Sequence, residues 1–181
     1  MSETAIVGEN VEVIQTRGPR SAFTWGVVIA GALAAWAVAF ILVSLGTGVG
    51  LAISTPYSGP STTAMTIAGA IWLVFSQTVA YAAGGYLAAR LRIRDHIPGP
   101  ETKFRDAAHG FMAWVIGVGI LIAVLVLTGV ISAHGGTAPA VTDEARKAAA
   151  YLSFWSFMAL LFGAVAATLA GILGGELRDE T

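Results

Sequence analysis

The sequence predicts an all-α fold: a polytopic membrane protein built as a bundle of four transmembrane helices. Residues 21–89 and 148–175 contain no Asp, Glu, Lys, Arg or His, and residues 107–142 contain only two histidines among these types. Only 12% of all residues are charged and 56% are hydrophobic, whereas a soluble domain is about 25% charged. A charge near the middle of a bilayer costs at least about 2.5–3.5 kcal/mol, so membrane segments exclude it.

The first uncharged stretch is too long for a single crossing, which needs about 20 residues. It divides at residues 54–63, where two prolines, a glycine and several hydroxyl residues break a helix. The predicted spans are therefore residues 25–53 and 64–89. Each span must be helical, because hydrocarbon offers no partner for unpaired backbone groups.

Two further spans follow in the second half of the chain. Span three is predicted at residues 111–132, ending before the His-Gly-Gly-Thr-Ala-Pro run at 134–139. Span four is predicted at residues 148–174. Thr142, followed by Asp143 and Glu144, is typical of a helix start, with a hydroxyl cap and acidic residues in the first turn.

The basic residues predict the orientation. Eight of the ten lie on one side of the predicted spans, and the positive-inside rule assigns that side to the cytoplasm. Both termini are then cytoplasmic, with a polar leader at 1–20, the transmembrane domain at 21–178 and a short tail at 179–181. The apolar run after the leader is far longer than that of a signal peptide, so we expect span one to stay in the mature protein.

Glycine is frequent, at 22 of 181 residues, against about 7% in an average protein. Small residues four positions apart share one helix face and allow two backbones to approach closely in lipid. We expect them to pack the bundle internally; self-association into an oligomer and a glycine-lined pore are the alternatives. The predicted packing residues are Gly31, Gly46, Gly50, Gly84, Ala88, Gly171 and Gly175.

Polar side chains inside the spans are densest at Ser76, Gln77 and Thr78, in span two. Hydrogen bonds between helices are the expected role of such residues in lipid. The alternative is the lining of a solute path. The spans contain no Asp, Glu, Lys or Arg, which ion-coupled transporters commonly use, and this argues against transport.

A basic cluster between spans two and three predicts contacts with anionic lipid headgroups, beside its role in setting topology. His109 lies at the mouth of span three, where we expect a helix-end histidine wetted by the interface, with Asp106 one turn away as a neighbour. The predicted headgroup residues are Arg90, Arg92, Arg94, Lys103 and Arg105.

Several functions have no basis in the sequence. There is no cysteine, no metal-ligand spacing among the three histidines, no recognisable catalytic motif and no overall basic charge for nucleic acid. We therefore expect no catalytic residue, cofactor or metal. The prediction is a non-enzymatic inner-membrane protein that acts by packing with itself, with partner membrane proteins or with the lipid bilayer. A small channel or transporter subunit is the alternative.

The two halves of the chain resemble each other. Trp25-Gly26 opens the first pair of spans as His109-Gly110 opens the second, and a Gly-Gly pair followed by an arginine closes each half. Both pairs run in the same direction, so a repeat would be parallel, with its axis along the membrane normal.

Several of these motifs resemble small bacterial membrane proteins described as PhnA-like. They are residues 21–35 and 45–51 in span one, Gly-Gly-Tyr-Leu-Ala-Ala-Arg at 84–90 and His-Gly-Phe-Met-Ala-Trp at 109–114. The resemblance covers nearly the whole chain from Ser21. It implies a four-helix inner-membrane protein, mostly alphaproteobacterial, without an established function. A zinc ribbon, which the family label suggests, is excluded because the sequence has no cysteine.

Overall fold

The computed structural model describes residues 23–54, 59–93, 99–135 and 142–180, with residues 130–135 in backbone only. These residues form four α-helices: α1 (Trp25–Ile53), α2 (Thr62–Arg90), α3 (Gly99–Gly135) and α4 (Asp143–Asp179). All four are long and apolar enough to cross a membrane. The predicted all-helical, multi-pass membrane fold is thus confirmed. The leader predicted at residues 1–20 lies outside the described residues.

Hydroxyl side chains begin two of the helices. The Ser61 hydroxyl accepts a hydrogen bond from the Ala64 backbone N–H at 3.2 Å and so caps α2. The Thr142 hydroxyl accepts from the Ala145 N–H at 3.2 Å, which confirms the predicted cap of α4. The cap residue of α1, Thr24, makes no such side-chain bond. The Thr24 backbone N–H instead donates a hydrogen bond to a side chain of α3.

Helix α3 begins well before the predicted membrane entry at residue 111. It starts at Gly99, and Pro100 is tolerated because the first turn of a helix has no partner for its N–H groups. Glu101 lies in that first turn, where the positive end of the helix dipole favours an acid. Residues 99–110, which precede the predicted span three, are therefore the first turns of a membrane helix.

Helix α2 is the central element of the bundle. It contacts α1, α3 and α4, and its interface with α4 is the largest in the structure. Among the described residues, α1 contacts α3 but not α4. A two-fold axis relating the two halves would exchange the α2–α3 contact with an α1–α4 contact, so the packing is not symmetric in this respect. The predicted repeat stays a prediction.

The core is made of small side chains. Where helices meet, buried positions are mostly alanine and glycine, while large apolar side chains such as Phe40 (75% exposed) and Leu51 (72% exposed) face outward. In water that arrangement would be inverted; in a bilayer the outer apolar surface is solvated by lipid, and small residues allow close helix contact. The buried apolar residues include Val28, Ala32, Ala35, Ala80, Tyr81, Ala88, Ala89, Ala113, Ala159 and Ala167.

The helices meet most closely at one end of the bundle. We call this the basic end: it contains the start of α1, the end of α2, the start of α3 and the end of α4. Toward the opposite end the contacts thin out, and residues 122–129 of α3 and 143–154 of α4 are exposed on every face. The charged residues of the site described below lie at the same end of the bundle as the closest helix packing.

Candidate functional site

A buried carboxylate occupies the centre of the basic end. Asp106 of α3 has a side chain only 2% exposed, and it accepts from Arg178 of α4 at both oxygens: Nη1 to Oδ1 at 3.0 Å and Nη2 to Oδ2 at 3.1 Å. Arg92, just after α2, donates from Nε to the same Oδ1 at 2.9 Å. Arg178 Nη1 also donates to the Ala89 carbonyl oxygen at 2.9 Å. One carboxylate thus ties together the ends of α2, α3 and α4.

The small-residue stripes of the helices bring these charges together. Asp106 precedes Gly110, Ala113 and Gly117 on one face of α3, at the spacing of successive helix turns. On α4, Arg178 follows Gly171 and Gly175 in the same way. Gly175 faces the Asp106 carboxylate so closely that an added methyl group would overlap it. The absence of a side chain at that position makes room for the ion pair.

The buried part of this cluster carries more positive than negative charge. Two guanidiniums face one buried carboxylate, and Arg178 reaches a second acid, Asp179, through Nε at 2.9 Å. Asp179 is 45% exposed, so its charge is partly screened by solvent. A buried ion pair of this kind adds little net stability over an apolar core, but removing one partner is costly because a charge remains unpaired. The ion pairs therefore hold the helix ends together, because separating them would leave a buried charge unpaired.

A histidine one turn along α3 holds the start of α1. The His109 ring is 0% exposed, and its Nε2 accepts the Thr24 backbone N–H at 3.1 Å. Its Nδ1 lies 2.7 Å from the Arg105 carbonyl oxygen, and Phe23 stacks on the ring at a centroid distance of 4.4 Å. Because Nε2 must accept, we assign the neutral tautomer with the proton on Nδ1.

The sequence-based view of His109 is therefore wrong. The ring is enclosed between helices rather than wetted by the interface. Both ring nitrogens are occupied by Thr24 and Arg105, so neither is left for a hydrogen bond to Asp106. We refer to Arg92, Asp106, His109 and Arg178 together as the basic-end cluster.

The predicted glycine positions lie at helix contacts of different tightness. A methyl group added at Gly31 would lie 2.5 Å from the Gly84 carbonyl oxygen, and one at Gly84 would lie 2.5 Å from that of Gly31. Ala88 completes this α1–α2 contact. At Gly171 an added methyl would lie 2.7 Å from the Asp106 carbonyl oxygen. These approaches leave no space for any side chain.

Gly46 and Gly50, both predicted as packing residues, differ from each other. The Trp72 indole fills the space over Gly46, and its Nε1 donates to the Leu42 carbonyl oxygen at 2.9 Å. At Gly50 an added methyl would only meet the tip of Met65 at 3.7 Å, an ordinary contact. The GxxxG pair in α1 therefore accommodates side chains of α2 instead of a second backbone.

Sequence reasoning missed some of the closest approaches. At Gly85 and Gly110, an added methyl would overlap the Ala167 carbonyl oxygen of α4, and at Gly174 it would lie 2.5 Å from that of Tyr86. Adjacent glycines at 84–85 and 174–175 gave a hint, since two neighbouring glycines present small surfaces to two different helices.

The polar group in α2 does not act as one unit. Thr78 donates to the Val74 carbonyl oxygen of its own helix at 2.7 Å, not to another helix as expected. The Ser76 hydroxyl is buried and has no hydrogen-bond partner among the described residues. Gln77 lines a mostly apolar cavity of about 190 Å³, together with Trp36 and Tyr81.

Most basic residues assigned to lipid headgroups have protein partners. The predicted headgroup contact of Arg92 is wrong, because its guanidinium points into the bundle onto Asp106. Lys103 pairs with Glu176 at 2.8 Å, and Arg105 pairs with Glu101 at 2.8 Å. Arg94 lies outside the described residues. Arg90 is half-buried at the last position of α2.

Neither the local chemistry nor comparison with known proteins adds an identity beyond the class of four-helix multi-pass membrane proteins. Within the described ranges, no three His, Asp or Glu side chains come together in a group that could hold a metal ion. No family model, curated protein or solved structure matches the chain. The resemblance to the PhnA-like proteins stays a prediction.

Proposed function

We propose that this is a non-enzymatic protein of the bacterial inner membrane whose helices pack against other membrane helices, in the first place those of a second copy. The single observation that carries the proposal is the exposure of residues 122–129 in α3. Every residue of this segment is exposed, so two full turns of the helix have no close neighbour among the described residues. The bacterial inner-membrane setting draws on the family resemblance and the distribution of basic residues.

The composition of the exposed surface supports association. Gly119 and Gly129 of α3, Gly69 of α2 and Gly48 of α1 have open space where a side chain would be. Small residues on a lipid-facing surface permit a neighbouring helix to approach, and van der Waals packing then drives association. The same surface carries large apolar side chains such as Leu125 (60% exposed), which suit either a helix or lipid.

Cysteine crosslinking tests the proposal cleanly, because the chain has no native cysteine. Single cysteines placed in turn at residues 122–129 are oxidised in native membranes, with Ala113→Cys as the buried control (1% exposed). We expect disulfide-linked dimers at positions that share one helix face, recurring every three or four residues, and none at residue 113. The detergent-solubilised protein should have the mass of two or more chains of 18.6 kDa each.

A uniform absence of crosslinks, together with a mass of one chain, would overturn self-association. The exposed faces would then be covered by lipid alone. Crosslinks of equal strength at all eight positions would indicate random collision in the membrane and would count against a defined interface.

A small channel or transporter subunit is the second candidate, favoured by one observation. Gln77 presents an amide to the cavity between α1, α2 and α3 inside the membrane. Flux of a solute into liposomes containing the purified protein, lost in Gln77→Leu, would favour this candidate over the first. Equal flux with and without the protein would remove it.

A further inference from the structure

Arg90 occupies an unusual place in the bundle. It is the last residue of α2 and the first charged residue after the uncharged residues 21–89, so it lies where the membrane segment meets the basic end. Its side chain is half-buried, and its Nη1 atom is buried without a hydrogen-bond partner among the described residues. A buried donor that lacks an acceptor costs free energy comparable to a lost hydrogen bond.

The neighbouring basic residues at this end are engaged differently. Arg92 and Arg178 share Asp106, Lys103 contacts Glu176, and Arg105 contacts Glu101. No ion pair joins the Arg90 guanidinium to any acid in the described part of the chain. In the described part of the chain, Asp106, Glu101 and Glu176 each contact another cation, and no acid contacts Arg90. An acceptor from outside the described residues would satisfy this donor.

The chemistry of the guanidinium indicates the acceptor. Arginine presents five N–H donors in a planar fork that matches the oxygens of a phosphate, and it remains charged at any physiological pH. The positive-inside rule places this end at the cytoplasmic surface, where anionic lipids supply phosphodiester groups at the level of a helix end.

We propose that Arg90 is the anchor of an oxyanion site that binds the phosphate of an anionic lipid headgroup in the cytoplasmic leaflet. Free phosphate carries the same chemistry, and the test below distinguishes the two sources. The site requires only the membrane placement of α2. A monomeric protein, which would refute the proposed self-association, would leave it intact.

Lipid binding to the detergent-solubilised protein, measured by native mass spectrometry, tests the site. The probes are phosphatidylglycerol, which has an anionic phosphate, and diacylglycerol, which has the same chains without one. We expect the protein to bind phosphatidylglycerol selectively and Arg90→Gln to weaken that binding roughly tenfold, as loss of a charge-assisted hydrogen bond implies. Diacylglycerol binding should not change. Arg146→Gln is the matched control, since Arg146 is exposed at the opposite end.

Inorganic phosphate distinguishes the source of the oxyanion. If millimolar phosphate does not displace phosphatidylglycerol, the lipid is the ligand; if it displaces the lipid fully, the site takes free phosphate and the lipid assignment falls. Arg90→Lys keeps the charge but loses the planar fork, and we expect intermediate binding; this variant also serves if Arg90→Gln does not fold. Unchanged phosphatidylglycerol binding in folded Arg90→Gln, or an equal loss in Arg146→Gln, would overturn the proposal.

Discussion

Arg178 and Asp106, which are 72 positions apart in the sequence, form a two-pronged ion pair between α3 and α4. The two N–O distances are 3.0 and 3.1 Å, and the side chains are only 8% and 2% exposed. Parallel donors on a guanidinium and parallel acceptors on a carboxylate fix the relative orientation as well as the distance of their helices. The pair therefore defines how the two helix ends sit at the basic end.

Replacing Asp106 by asparagine should destabilise the protein strongly. The substitution leaves the Arg92 and Arg178 guanidiniums close together and buried without their shared anion. Breaking a buried ion pair in this way typically costs about 3–5 kcal/mol. The measurement is unfolding in mixed detergent micelles, followed by circular dichroism.

The exposed pair Lys103–Glu176 provides the comparison. Its side chains are 62% and 41% exposed, so solvent screens the interaction and Lys103→Gln should change stability little. Adding Arg178→Gln to Asp106→Asn should recover part of the loss, because one unpaired charge is removed. Equal effects of Asp106→Asn and Lys103→Gln on stability would show that the buried pair does not hold the helices together.

The contact between α1 and α2 should not tolerate even a methyl group. In Gly84→Ala the new methyl would lie 2.5 Å from the Gly31 carbonyl oxygen, so the helices must move apart. Overpacking of this kind typically costs about 1–3 kcal/mol. The loss should appear as a lower unfolding midpoint in detergent.

Gly69→Ala is the matched control on the same helix. Open space surrounds Gly69, and alanine is a better helix former than glycine, by up to about 1 kcal/mol. This variant should be as stable as the natural protein or more so. If both substitutions lowered stability equally, helix propensity or insertion would explain the effect and close packing would not.

The number and type of helices could be predicted because charge is excluded from lipid. Whether a residue can lie in the hydrocarbon depends on its own chemistry. Uncharged stretches therefore mark the four spans without knowledge of any contact. The start of α3 could not be found in this way. Its first turns at 99–110 are polar, and a rule that looks for apolar residues stops at the membrane border although the helix continues.

The basic-end cluster was missed because its members come from three separate parts of the chain. Periodicity does place Asp106 on the same face as Gly110, and Arg178 on the same face as Gly175. Extending each small-residue stripe by one turn leads to these charges, so the sequence contained part of the answer. The bond from Thr24 to His109 depends on how α1 and α3 are placed against each other, and no local pattern encodes that.

The orientation in the membrane is open to a direct test. The distribution of basic residues predicts that reporter fusions after Thr55 and after Gly136 are active outside the cytoplasm, and that one after Gly99 is active inside. Paired alkaline phosphatase and green fluorescent protein fusions provide the measurement. A cytoplasmic signal after Gly136 would contradict the predicted topology, and with it the cytoplasmic placement of Arg90.

His109 should control the order of the first turn of α1. In His109→Phe the replacement ring still stacks with Phe23, but the acceptor for the Thr24 N–H is lost. A hydrogen bond contributes about 0.5–1.5 kcal/mol net, so we expect roughly 2- to 10-fold faster amide exchange at the start of α1. Hydrogen–deuterium exchange with mass spectrometry resolves this segment. Phe111→Leu is the control, because Phe111 is exposed on the same helix (42%).

The same arrangement predicts a specific state of the ring in the natural protein. Since Nε2 accepts from Thr24, nitrogen NMR of labelled His109 should show a neutral imidazole with its proton on Nδ1, bonded to the Arg105 carbonyl oxygen. A proton on Nε2 would be incompatible with an N–H donor at 3.1 Å. If the spectra showed the Nε2–H tautomer, or if His109→Phe left amide exchange there unchanged, the first turn of α1 would be held by apolar packing alone.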